Sequence, residues 1–187
     1  MASDYSVILP ARNAASDLGC CIAALGPAEG NPILREVIVV DDGSTDATAE
    51  VAASLGARVL RQAVLGPAAA RNAGAGSASG ELLVFLDSDC LAAPGCMEAL
   101  LAPFQDRAVA GTRGGYTTCR RSLVARFVQL EMNEKQEMLA ASRASQSRGY
   151  LAGHGVPGLP PIGLPALRRF RRSPPPNLPH RRWIRIE

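Results

Sequence analysis

Aromatic residues are scarce, 4% of 187, with a single tryptophan. A chain so poor in stacking groups offers no platform for nucleic-acid bases, so nucleic acid is not an expected partner. No apolar run approaches the roughly 20 residues needed to span a bilayer. No signal-peptide pattern opens the chain, because Asp4 and Arg12 flank only a very short apolar run. The five cysteines (Cys20, Cys21, Cys90, Cys96 and Cys119) are odd in number and contain no CxxC pair. That usage speaks against a disulfide framework or a zinc site and fits a reducing cytoplasm. Neither a Gly-rich P-loop nor a GxGxxG follows the first apolar run, against ATPases and dinucleotide enzymes. No acidic residue occurs from Gln146 through Ile186.

Hydrophobic residues are plentiful, at 47%, so the chain can bury a core without staples. The net charge of +3 hides an asymmetry: residues 151–187 carry net +6 and residues 1–150 carry net −3. Ser6-Val7-Ile8-Leu9, stopped by Pro10, reads as a buried strand. Leu18, Ile22 and Leu25 fall at helical spacing and Gly26 ends that helix. Glu36 to Val40 is β-branched and continuous, as in a parallel strand covered on both faces. Ser44 or Thr45 is placed to cap a helix carrying Val51 and Leu55 and ending at Gly56. Arg58-Val59-Leu60 reads as a third strand, Ala68 to Ala78 as a helix and Leu82 to Leu86 as a fourth strand. A short helix is expected over 97–104. A longer one is expected over 122–142, with an apolar stripe of Leu123, Phe127, Leu130 and Met138. Strict β-α alternation implies an α/β fold with a mostly parallel sheet flanked by helices.

The texture changes near Tyr150. Residues 151–187 hold eight of the fourteen prolines, among them Pro174-Pro175-Pro176, and paired arginines. The expected organisation is a folded unit over 1–150 and a disordered Pro/Arg-rich tail over 151–187. The tail's arginines provide for peripheral contact with anionic lipid at the inner face of the membrane, although a solvated tail is the simpler reading. His154 and His180 lie at or beyond this change and are expected to take no part.

Two acidic clusters close two different strands, at the edge where parallel sheets bind ligands. Asp87-Ser88-Asp89 places carboxylates at i and i+2 past a buried strand. Hard oxygen ligands of that kind suit Mg²⁺ or Mn²⁺, held by one or two carboxylates together with phosphate oxygens and water. A plain polar turn is the competing reading. Asp41-Asp42-Gly43-Ser44-Thr45-Asp46 is the second cluster. A carboxylate there can accept from a base N–H or a ribose hydroxyl, or it can merely turn the chain. Arg71 is the one charge in a small-residue stretch and can reach a diphosphate. Its bland alternative is a solvated helix charge. Pro10-Ala11-Arg12-Asn13 ends the first strand and could line a base pocket through its backbone, or be an ordinary strand-to-helix turn.

The stretches Ser6 to Asn13, Glu36 to Asp46, Gly66 to Gly74 and Gly80 to Asp89 together resemble family 2 glycosyltransferases. The resemblance covers residues 5–110 well and 111–150 more weakly. It implies a GT-A (Rossmann-like) fold, a nucleotide-diphosphate sugar donor and an unspecified saccharide or lipid-linked acceptor. By the same resemblance, Asp41 and Asp42 read base and ribose, and Arg71 lies near the base or phosphates. Asp87 and Asp89 form the DxD motif, with Asp89 the more direct metal ligand, Asp87 acting through ribose or water and Ser88 between them. Family members invert the anomeric carbon with a carboxylate base. The acidic residue often found after the family's first Asn is Ala14 here. The acceptor half with its Glu-Asp motif has no match after Tyr150, so the catalytic base is unassigned. A reading frame shifted near residues 150–156, leaving a truncated chain of weak or no transfer activity, is the corresponding expectation. Two rivals differ in class. A nucleotidyltransferase needs a Gly-rich basic loop after the first strand, which is absent, and a nucleotide-sugar sensor or remnant binds without catalysis.

Overall fold

The computed structural model describes residues 4–26, 33–115, 123, 127, 129–131, 134 and 182–186. The elements run β1 (Tyr5–Ala11), α1 (Ala15–Ala24), β2 (Leu34–Asp42), α2 (Thr48–Ser54), β3 (Arg58–Gln62), α3 (Pro67–Ser77), β4 (Leu82–Leu86), α4 (Cys96–Leu101), β5 (Gly111–Gly114) and β6 (Arg182–Ile186). A 3₁₀ turn, Ala102–Gln105, extends α4, so the helix expected over 97–104 exists in two parts. All strands are parallel, in the order β3-β2-β1-β4-β6-β5. The α/β class and the alternation through β4 are as the sequence implied.

Strands β1 and β2 are apolar on both faces because helices cover both. Val7, Leu9 and Val39 pack with Leu18 and Cys21 of α1, Ala52 of α2 and Leu100 of α4. Ile8, Ile38 and Val40 pack on the other side with Ala70 and Ala75 of α3. Alternation along a strand sends successive side chains to opposite faces, which is why the two sets interleave. The small residues of α3 let it approach closely. A Cβ added at Gly74 would lie 2.5 Å from Ile8 Cγ2.

The chain runs outward from β1 through β2 to β3, then returns across the other face to place β4 beside β1. The carboxyl ends of β1 and β4 therefore border the topological switch point, where ligands bind in open α/β sheets.

Four expectations differ from the structure. Ser44 and Thr45 do not cap α2. Its N-cap residue is Ala47 without a side-chain bond, and Asp46 Oδ1 instead accepts from Thr48 N at 3.0 Å. Ser44 and Thr45 are occupied with Asn13. Pro10 does not stop the first strand: β1 runs through it to Ala11, and β2 runs on through Asp41 to Asp42. Leu123, Phe127 and Leu130 are helical but exposed and join neither core cluster among the described residues, while Met138 lies outside the described residues.

The fourth difference concerns the tail. Residues 182–186, expected to form neither helix nor sheet, are β6, inserted between β4 and β5. Averaged over residues 151–187, proline dominates, yet none follows Pro179. The remaining Trp and Ile residues have strong β-preference. Residues 151–181, including His154 and His180, lie outside the described residues.

Candidate functional site at the carboxyl edge of the sheet

Asp41 ends the β1–β2 ladder opposite Ala11 and pairs with Arg61 on its other side, where Asp42 opposite Gln62 closes the β2–β3 ladder. Two residues beyond the Ile8–Phe85 pair stand Pro10 and Asp87. Strands β2 and β4 both flank β1, so their ends lie about 10 Å apart at one edge. Pro10 and Ala11 are buried between them. The two acidic clusters thus share an edge, with the end of β1 as the floor.

Adjacent residues on a strand face opposite ways, and Asp41 and Asp42 do different things. Asp42 is buried and accepts from Gln62 Nε2 (2.6 Å) and Leu65 N (2.8 Å) at Oδ1, and from Gly66 N (2.9 Å) at Oδ2. The Gln62 amide bond, followed by the Leu65 N–H, holds its carboxyl below the usual aspartate range. Asp42 therefore positions the loop that opens α3. Asp41 accepts one bond, from Ser44 N at 2.9 Å, on Oδ1. Among the described residues no hydrogen bond reaches its Oδ2. Gly43 between this pair and the loop has φ 69° and sits against Val64, so a side chain there meets both strain and a clash.

A clasp that sequence reading missed joins the β1–α1 and β2–α2 loops. Asn13 N donates to Ser44 Oγ (2.9 Å), and Asn13 Oδ1 accepts from Thr45 N (2.9 Å). Ala14 N donates to Thr48 Oγ1 (2.9 Å) and Ala15 N to Asp46 Oδ2 (3.2 Å). The first N–H groups of α1, which has alanine at its own N-cap, are thus satisfied by a different loop. The only local hint is Ala14, a residue that cannot cap. Asn13 takes the left-handed backbone (φ 51°) that asparagine tolerates.

Arg71 Nη2 donates to Asp87 Oδ1 at 2.6 Å, a half-buried ion pair. Helix α3 is therefore tied to both clusters, to Asp42 through its opening loop and to Asp87 through Arg71. Asp87, Ser88 and Asp89 form the turn after β4, closed by Cys90 N donating to Asp87 O at 3.0 Å. Asp89 is exposed, and Cys90 Sγ lies 3.7 Å from its Oδ1. Burial, then the neighbouring Asp89 and Asp87, push the Cys90 thiol up to about 11. Burial, then Cys90 and Asp89, push Cys21 up to about 12. In the metal-free chain both sulfurs stay protonated at neutral pH.

The donor set fits a hard divalent cation. Two carboxylates and no thiolate or imidazole suit Mg²⁺ or Mn²⁺, which complete their shells with water and phosphate oxygens. No cluster of three or more acidic, histidine or cysteine ligands occurs among the described residues, so a cation held by Asp87 and Asp89 would draw its further ligands from water and phosphate oxygens.

The family model for glycosyl transferase family 2 matches residues 6–158. The validoxylamine A glucosyltransferase of Streptomyces hygroscopicus subsp. limoneus is 38% identical over 121 residues, 59% of this chain and 27% of that protein. The pre-mycofactocin glycosyltransferase of Mycobacterium tuberculosis is 40% identical over 111 residues, 57% of this chain and 22% of that protein. The chain spans less than a third of the length of these relatives. The glucosyl-3-phosphoglycerate synthase of Mycobacterium tuberculosis, solved with Mn²⁺, uridine-diphosphate and phosphoglyceric acid, superposes with a TM-score of 0.55 at 27% identity. That match covers 76% of this chain and 50% of the synthase. With residues 6–158 matched by that family model, the chain belongs to glycosyl transferase family 2.

Proposed function

We propose that the carboxyl edge of the sheet binds a nucleotide-diphosphate sugar together with Mg²⁺ or Mn²⁺, for transfer of the sugar to an acceptor hydroxyl with inversion. The observation that carries this reading is the juxtaposition of Asp41 and the Asp87–Asp89 turn on either side of Pro10 and Ala11, with Arg71 paired to Asp87. The synthase solved with Mn²⁺ and uridine-diphosphate supports it.

Each group has a role in this reading. Asp41 has a carboxylate oxygen for a base N–H or a ribose hydroxyl, and the Pro10-Ala11 backbone walls the base. Asp42 keeps the loop before α3 in place and so sets where Arg71 emerges. Arg71 offers its remaining N–H groups to the diphosphate. Asp89, with Asp87 beside it, would hold the cation, while Ser88 offers a hydroxyl in the same turn. The cation, when bound, neutralises charge on the leaving diphosphate. No described residue is assigned as the base that takes the acceptor proton. The acceptor is a saccharide or a lipid-linked saccharide, and among the described residues no helix is long and apolar enough to cross a membrane.

Calorimetry with UDP or GDP and Mn²⁺ tests the proposal. Binding that needs the metal, and that Asp89→Ala removes without lowering thermal stability, is the expected result. A folded chain giving no heat with either nucleotide sinks it. Donor hydrolysis and transfer assays on the same sample separate catalysis from binding alone.

A further inference from the structure

Strand β6 reaches its place through residues 115–181, whereas β1 to β4 are connected in turn through single helices. It is also the strand that joins β5 to the rest of the sheet. Five register pairs hold it to β4 and four to β5. Ile184 is fully buried in the larger core cluster. Arg182 donates to Phe104 O (2.9 Å) and Asp106 O (3.4 Å), and it pairs with Glu81 (3.5 Å). Its guanidinium lies 5.3 Å from the Phe104 ring centroid. Every one of these contacts is made by the strand itself, so none depends on the chain leading to it. The β4 pairing runs to Leu86↔Ile186, one residue before Asp87.

We propose that the cleft between β4 and β5 is a receptor site for a parallel strand, occupied by the chain's own Arg182–Ile186, and that its occupancy fixes the Asp87–Asp89 turn. Main-chain pairing supplies the affinity, and Ile184 and Arg182 supply the selectivity. With the cleft empty, β4 becomes a sheet edge and its carboxyl end loses lateral support on one side. The coupling to the turn rests on the nucleotide reading above, but the receptor site does not.

Hydrogen exchange on the full chain carrying Ile184→Asp is the test. Amides of Leu82–Leu86 and Gly111–Gly114 should exchange about tenfold faster or more, while those of β1 and β2 keep their protection. A peptide with the sequence of residues 181–187 should restore protection in β4 and β5, and the same peptide carrying Ile184→Asp should not. Unchanged exchange in β4 and β5, or no restoration by the peptide, overturns the proposal. If Ile184→Asp unfolds the chain, the unsubstituted chain decides. There β6, β4 and β5 should open together more readily than β1 and β2, and exchange of all five strands only through global unfolding overturns the proposal. UDP with Mn²⁺ should bind the folded variant about tenfold more weakly, with recovery on adding peptide. Unchanged affinity despite rapid β4 exchange overturns the coupling. An unsubstituted chain that binds no UDP with Mn²⁺ sinks the nucleotide reading, while the exchange results still decide the receptor site.

Discussion

Asp42 accepts from Gln62, Leu65 and Gly66, and among the described residues the adjacent Asp41 accepts from Ser44 alone. The three donors favour the ionised form of Asp42, so its carboxyl titrates lower in the folded chain than in the unfolded one. A depressed folded value means that the stabilisation is present above the ordinary aspartate range, near pH 4. It is lost as pH falls through the lower folded value. Glu36 acts in the same direction. Burial works to raise it, but bonds from Ser79, Ser6 and Arg58 outweigh that and lower it. Asp42→Asn is expected to lower the urea midpoint at pH 7, with the difference from the unsubstituted chain shrinking toward pH 3. An equal difference at both pH values, read from urea melts, would show that the charge on Asp42 is not what the loop depends on.

Helices and strands here make contact through small residues. In α3, Gly74 faces Ile8 and Val40, with no room for a methyl group. Alanine would gain about 1 kcal/mol of helix propensity. Overpacking against a fully buried isoleucine costs about 1–3 kcal/mol. The clash wins, because Ile8 is enclosed by the sheet and α3 and cannot swing away. Gly74→Ala should therefore lower stability, by up to about 2 kcal/mol in urea unfolding, and a stabilised variant would mean that α3 can shift along the sheet. The α1 start illustrates the same dependence between elements. Its N–H groups are satisfied by Thr48 and Asp46, so α1 and the β2–α2 loop are expected to order together.

For the whole molecule, the proposed ligand is also a stabiliser, because it binds only the assembled edge. Loops from β1, β2 and β4 and the helix α3 must all be in place to meet it. At a nucleotide concentration a hundredfold above Kd, the gain is about 2.7 kcal/mol. For a chain of this size that corresponds to a Tm increase of roughly 5–10 °C. UDP with Mn²⁺ should raise Tm by that order and EDTA should reverse the rise. Equal shifts with and without the metal would remove the metal from the proposal.

Periodicity and chemistry within a few residues were legible from the chain alone. The apolar runs of β1, β2 and β4, the small-residue helix α3 and the acid pairs at two strand ends are local patterns, and the structure has an element at each, with β1 carried on to Ala11 and β2 to Asp42. Partners separated by long stretches of sequence were not legible. Which loop would cap α1, that Asp42 would serve the β3–α3 loop, and that Arg71 would meet Asp87 depend on strand order, which brings residues 16 to 34 positions apart into hydrogen-bonding range. The last strand shows the limit most clearly. Arg182–Ile186 carries a β-prone pattern too short to stand against its proline-rich surroundings. It becomes a strand only because β4 and β5 present unpaired backbone on both sides and a buried place for Ile184, and those exist only once the sheet has formed.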